Sequence, residues 1–177
     1  MECIQSFDVG ILEFLQANFN NSVLDNIFFF ITKLGDVGAI WLAISIILIF
    51  TKKYRRTGFL TVFALLLATL LGEGMLKHIF QRIRPFLEYD NLKTILSHQS
   101  GYSFPSGHTA SAFACTGVLM SRIKNLKYVF LTLAILIAFS RLYFFVHYPT
   151  DVIVGVILGL FCAWVVLKVN KKYEIKK

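Results

Sequence analysis

The sequence predicts an all-α membrane protein: a polytopic helix bundle of about five spanning helices, with six as the alternative, preceded by short N-terminal interfacial helices. Three observations predict it. Of 177 residues, 56% are hydrophobic and 15% aromatic, and only 16% are charged. With a mean hydropathy of +0.67, this is too apolar for an ordinary soluble domain. Several apolar runs approach the roughly 20 residues that a bilayer core requires. The charges gather between these runs, as membrane flanks do. The net charge of +8 forms no continuous basic stripe, which argues against a nucleic-acid partner.

Taken in order, residues 7–17 set Phe7, Ile11, Phe14 and Leu15 near helical spacing, and Asn18-Phe19-Asn20-Asn21 breaks the pattern. Ser22 then opens 23–34, with Asp25 three residues on as a capping-box variant. Both pieces are short for a span and read as helices lying in the interface; the alternative makes 23–34 a sixth span. Four clear spanning candidates follow at 38–51, 57–76, 127–146 and 151–169. A fifth, 106–121, is rich in Ser, Thr and small residues, so its neighbours must shield it, and its small side chains favour close helix approach. No linker, repeat or low-complexity tract divides the chain. It reads as one domain, with 1–35 as the interfacial part and 36–177 as the transmembrane part. Cys3, Cys115 and Cys162 form no CxxC or metal-ligand spacing, and the latter two read as packed small hydrophobes. The N-terminus carries Glu2 and Asp8 without a lysine or arginine, unlike a cleavable signal peptide.

Loop charges set the expected orientation. Twelve of the 18 Lys and Arg fall in the loop after the first span, the loop after the third, and the C-terminal tail, with Glu174 the single acid among them. The opposite side holds Lys33, Lys77, Arg82, Arg84, Lys93 and Arg141 with the other acids. The positive-inside rule places the C-terminus in the cytoplasm. Five spans then leave the acidic N-terminal segment outside.

Three short stretches, each at the outer end of an apolar segment, carry the chemistry: Lys77 with Arg84-Pro85, then Pro105-Ser106-Gly107-His108, then Ser140-Arg141 with His147 and Asp151. Arginine grips phosphate oxygens bidentately and lysine acts as a movable point charge, although singly each also suits a headgroup-level anchor. Pro85 fixes the chain direction after Arg84. Ser106-Gly107-His108 opens a helical run, whose unpaired N–H groups and positive dipole end favour an anion; a simple turn capped by Ser106 is the plainer alternative. Pro149 interrupts any helix between His147 and Asp151, but a turn still allows the carboxylate to hold one imidazole nitrogen and leave the other as a nucleophile. Glu73, one turn before Lys77, is expected to pair with it. His78 and His98 are expected at the surface, and Trp41 and Trp164 in packing or lipid contact. The scattered outer acids offer no convincing metal site.

In this order and at helix ends, Lys77 with Arg84-Pro85, Pro105-Ser106-Gly107-His108, and Ser140-Arg141 with His147 and Asp151 resemble the three-part signature of the type-2 phosphatidic acid phosphatase superfamily. Asn21-Ser22-Val23-Leu24-Asp25 and Ile31-Thr32-Lys33-Leu34-Gly35 also resemble small bacterial members. The resemblance implies metal-independent phosphoryl transfer without a cofactor. His147 would attack phosphorus and form a phosphohistidine, with Asp151 holding its ring. His108 would protonate the leaving oxygen and then help activate water. Lys77, Arg84, Arg141, Ser106 and the Gly107 amide would bind phosphate and stabilise charge in the transition state. The expected substrate is a membrane lipid phosphate reached at the outer face, undecaprenyl diphosphate first, with phosphatidylglycerol phosphate and phosphatidic acid as competitors. The expected partners are that lipid and the bilayer, and no oligomeric state is implied. A lipid-phosphate carrier needs the cations but has no evident use for two histidines and an aspartate, and a structural partner in a wall-synthesis complex needs none of them.

Overall fold

The computed structural model of the chain describes residues 2–19, 21–92, 94–96 and 101–175. Asn20, Lys93, His98, Lys176 and Lys177 therefore lie outside the described residues. Among those described, regular structure is helical throughout and no strand occurs.

Helix α1 (Glu2–Phe19) begins five residues before the apolar stripe that suggested it. Helix α2 (Ser22–Gly35) is capped differently from expectation. Asn21, not Ser22, is the N-cap, its side chain accepting from the Val23 N–H at 2.8 Å. Asp25 takes no part in a capping box; its carboxylate accepts from the Tyr143 hydroxyl at 2.6 Å. A tight turn, with Val37 in the left-handed region (φ 53°), joins α2 to α3 (Ala39–Phe50). Ser22–Phe50 together makes one 29-residue stretch long and apolar enough to cross a membrane.

Helix α4 (Arg55–Thr69) buries Thr57, Leu60, Thr61, Ala64, Leu65 and Ala68, a stripe at helical spacing. It continues through a wider π-type segment, Leu70–Leu76, into the single-turn α5 (Lys77–Phe80). Helix α6 (Pro85–Glu88) starts with proline in its first turn, where the missing N–H leaves no bond unmade.

Helix α7 (Gly107–Arg122) sits at the centre, packed on α4, α8 (Lys127–Tyr143) and α9 (Pro149–Ile175). At 16 residues it is not among the four stretches that, among the described residues, are long and apolar enough to cross by themselves: Ser22–Phe50, Arg55–Glu88, Lys124–Tyr143 and Pro149–Tyr173. Its neighbours enclose it instead. The α7–α9 approach depends on glycine: a Cβ at Gly159 would stand 2.5 Å from the Ala110 carbonyl oxygen and 2.8 Å from the Ala114 nitrogen. Small residues give close backbone contact where lipid supplies no hydrophobic drive. Cys115 and Cys162 are fully buried, as is Trp41, whereas Trp164 is exposed and stacked on Phe161.

Candidate active site

The three motif stretches converge at one end of the bundle, around a cleft of about 510 Å³ that Lys77, Arg84, Gly107, His108, Arg141 and His147 help to line. Local backbone features aim each one. The π segment changes the helical phase before Lys77, a distortion common at functional sites. Lys77 Nζ then meets Glu73 Oε1 at 2.8 Å, the expected pairing.

Arg84 is the N-cap residue of α6, with extended backbone. Its Nε donates to the Gly101 carbonyl at 3.0 Å and its Nη1 to the Val146 carbonyl at 2.9 Å. Arg141, 1% exposed, donates to the Thr32 hydroxyl of α2. Neutral acceptors of this kind orient a guanidinium without discharging it.

His147 is placed by the way α8 stops. The Val146 N–H donates to the Arg141 carbonyl and the Phe145 N–H to the Leu142 carbonyl, with Phe145 left-handed (φ 55°). This is a Schellman termination with phenylalanine where glycine is usual. It turns the chain so that His147 points back over the cleft before Pro149 opens α9.

The His147 Nε2 lies 3.4 Å from Arg84 Nη1. A guanidinium only donates, so Nε2 presents its lone pair and Nδ1 carries the proton. Nδ1 faces Asp151 Oδ2 at 3.6 Å, longer than a hydrogen bond. The Asp151 carboxylate is held from several sides: Ser103 Oγ and the Tyr148 N–H donate to Oδ2, and Arg82 donates to Oδ1 at 2.8 Å. Burial pushes the His147 imidazole down to about 3, against the opposing pull of Asp151, so the ring is neutral at physiological pH.

Ser106 does not line the cleft. It is fully buried as the N-cap of α7, its hydroxyl accepting from Thr109. Gly107 does line it, and a Cβ there would fall 2.0 Å from Glu73 Oε1, so a side chain at 107 would displace the Glu73 carboxylate that pairs with Lys77. His108 turns its Nε2 to Asp36 Oδ1 at 3.0 Å.

Sequence reasoning missed four supporting residues. Arg82 spans Asp151, Thr150, Asp8 and Gln5, each at 2.7–2.8 Å, with its guanidinium 3.7 Å above the Tyr148 ring. Asp8 of α1, fully buried, accepts from the Thr150 N–H at 3.0 Å and from its hydroxyl at 2.5 Å. Ser103 and Asp36 complete the set. The available signal was an acid on α1 away from its apolar stripe, with no partner nearby in sequence. His78 is exposed and makes an edge contact with Tyr102.

Comparison with known proteins agrees with this architecture. The chain is 27% identical to an undecaprenyl-diphosphatase of Sulfolobus acidocaldarius, over 98% of this chain and 84% of that one. It is 31% identical to the undecaprenyl-diphosphatase BcrC of Bacillus subtilis, over 79% of this chain and 74% of the relative. The crystal structure of the PAP2-type phosphatidylglycerolphosphate phosphatase of Bacillus subtilis superposes with a TM-score of 0.80 at 26% identity, covering 97% of this chain and 88% of that one. Residues 57–174, a range that contains all three motif stretches, match the PAP2 superfamily. The chain belongs to that superfamily, as a multi-pass membrane lipid phosphatase.

Proposed function

We propose that the protein hydrolyses a lipid diphosphate at the extracytoplasmic membrane face through a phosphohistidine on His147, with undecaprenyl diphosphate as its substrate and undecaprenyl phosphate and inorganic phosphate as products. The observation that carries the chemistry is the orientation of His147: a neutral ring with its Nε2 lone pair beside Arg84 in the cationic cleft and Nδ1 toward Asp151.

In this mechanism Nε2 attacks phosphorus in line while Lys77, Arg84 and Arg141 hold the equatorial oxygens. The Gly107 amide at the positive end of α7 adds a backbone donor. His108 gives a proton to the leaving oxygen as the P–O bond breaks. It then takes one from the water that cleaves the P–N bond, releasing phosphate and restoring His147. The cations supply the charge stabilisation, so the reaction proceeds without a metal. Ser106 acts from behind, by capping the helix that carries Gly107 and His108.

The undecaprenyl-diphosphatases among the relatives support the substrate assignment. The phosphatidylglycerolphosphate phosphatase similar in structure favours a second reading, a phospholipid monoester. Cation-poor loops at the cleft end favour the extracytoplasmic side for the site, with the lysine-rich C-terminus in the cytoplasm. The test is phosphate release by purified protein in detergent with EDTA, from undecaprenyl diphosphate, phosphatidylglycerol phosphate and phosphatidic acid in parallel. Release fastest from the diphosphate, surviving EDTA and lost by at least about 10³-fold in His147→Ala, is expected. Loss of release in EDTA, or an active His147→Ala, would contradict the mechanism.

A further inference from the structure

The ring of His108 does not stand alone over the cleft; it closes on the turn between α2 and α3. Its Nε2 lies 3.0 Å from Asp36 Oδ1, and the other Asp36 oxygen meets Lys33 Nζ at 3.3 Å. The ring edge rests on Gly35, where a Cβ would come within 2.8 Å of His108 Cδ2. A side chain at 35 would push the imidazole off its partner. The charged groups facing His108 come from three other elements: Asp36, with Lys33 behind it, from the α2–α3 turn, Glu73 from the π segment, and Arg141 from α8. Among the described residues, Asp36 is the side chain in hydrogen-bond contact with the ring.

A general acid must hold its proton until the leaving oxygen develops charge. An imidazole buried beside an arginine is poorly placed to do so, because both burial and the like charge disfavour the imidazolium. A carboxylate at hydrogen-bond distance has the opposite effect. We propose that Asp36 is the positioning residue that orients His108 and favours its protonated form as the leaving group departs. The inference rests on the reading above in which His108 protonates the leaving oxygen. In the first step the imidazolium gives its proton to that oxygen as the P–O bond breaks and the bond from His147 Nε2 to phosphorus forms. In the second, neutral His108 accepts a proton from the attacking water as the P–N bond breaks, and the imidazolium is restored against Asp36. Asp36 therefore matters most when the leaving group is a poor one, such as the alkoxide of a phosphate monoester.

The experiment uses the full chain in detergent with two substrates of different leaving group, short-chain phosphatidic acid and p-nitrophenyl phosphate. Wild type, Asp36→Asn, His108→Ala and the double variant are compared. Asp36→Asn is expected to lower kcat on phosphatidic acid about 10–100-fold and on p-nitrophenyl phosphate less than about threefold, with KM nearly unchanged. The alkaline limb of its kcat/KM profile should move to lower pH. Added to His108→Ala, the substitution should have no further effect. Equal losses on both substrates, an unmoved pH profile, or a loss that persists in the His108→Ala background would overturn the assignment while leaving the phosphatase reading intact. A wild-type protein inactive on both of these substrates and on undecaprenyl diphosphate would overturn that reading and the role of Asp36 with it.

Discussion

His147 is 2% exposed, and its chemistry depends on remaining uncharged. Its proton affinity is depressed when folded, to about 3 against an ordinary 6.5. Between those values the unfolded chain binds a proton that the folded one does not, so stability is full above about 6.5 and falls as pH drops toward 3. The melting temperature of the wild type should therefore fall more steeply from pH 7.5 to pH 5 than that of His147→Gln, whose side chain does not titrate. Parallel profiles would show that the ring is not held neutral. At this scale the sequence was most informative about motif residues and least about their supports. Lys77, Arg84, Gly107, His108, Arg141 and His147 carried recognisable neighbours, and the structure brings them to one cleft. Arg82, Asp8, Ser103 and Asp36 did not, because their partners lie 44 to 142 positions away in sequence. The Ser106 hydroxyl was assigned to phosphate, but the helix start it caps claims it locally, the plainer of its two sequence readings.

The elements divide in the same way. Apolar length located α4, α8 and α9 closely, because hydrocarbon-spanning helices are long and their composition is distinctive. Departures from regular helix escaped periodicity: the π segment before Lys77, the Schellman turn after α8, and the α2–α3 turn that carries Asp36. Each is set by tertiary packing around the cleft. In α2, the Thr32 and Asp25 noted in the family resemblance have partners on α8, Arg141 and Tyr143, which ties α2 to the site. Central α7 is held by contact too close for any side chain at Gly159. Gly159→Ala should destabilise the folded protein by about 1–3 kcal/mol through overpacking. Gly10→Ala in α1, where a Cβ meets nothing within 4 Å, should stabilise by about 0.4–1 kcal/mol. Thermal melts of the two variants in one detergent check the pair, and equal shifts would contradict the packing argument.

Across the whole molecule, one end of the bundle gathers a buried lysine, two buried arginines and two histidines, while the opposite flanks carry most of the remaining cations. On the proposed reading this cationic cleft receives a lipid headgroup at the bilayer surface, so the acyl or prenyl tail need not leave the membrane. The central claim is that phosphorus passes through His147. Protein mixed with undecaprenyl diphosphate labelled with ³²P in its terminal phosphoryl group, and quenched rapidly in alkali, should retain a protein-bound label that is acid-labile and alkali-stable. Peptide mapping should place it on His147, and His147→Ala should carry none. Phosphate release without a labelled protein, or a label on any other residue, would contradict the account.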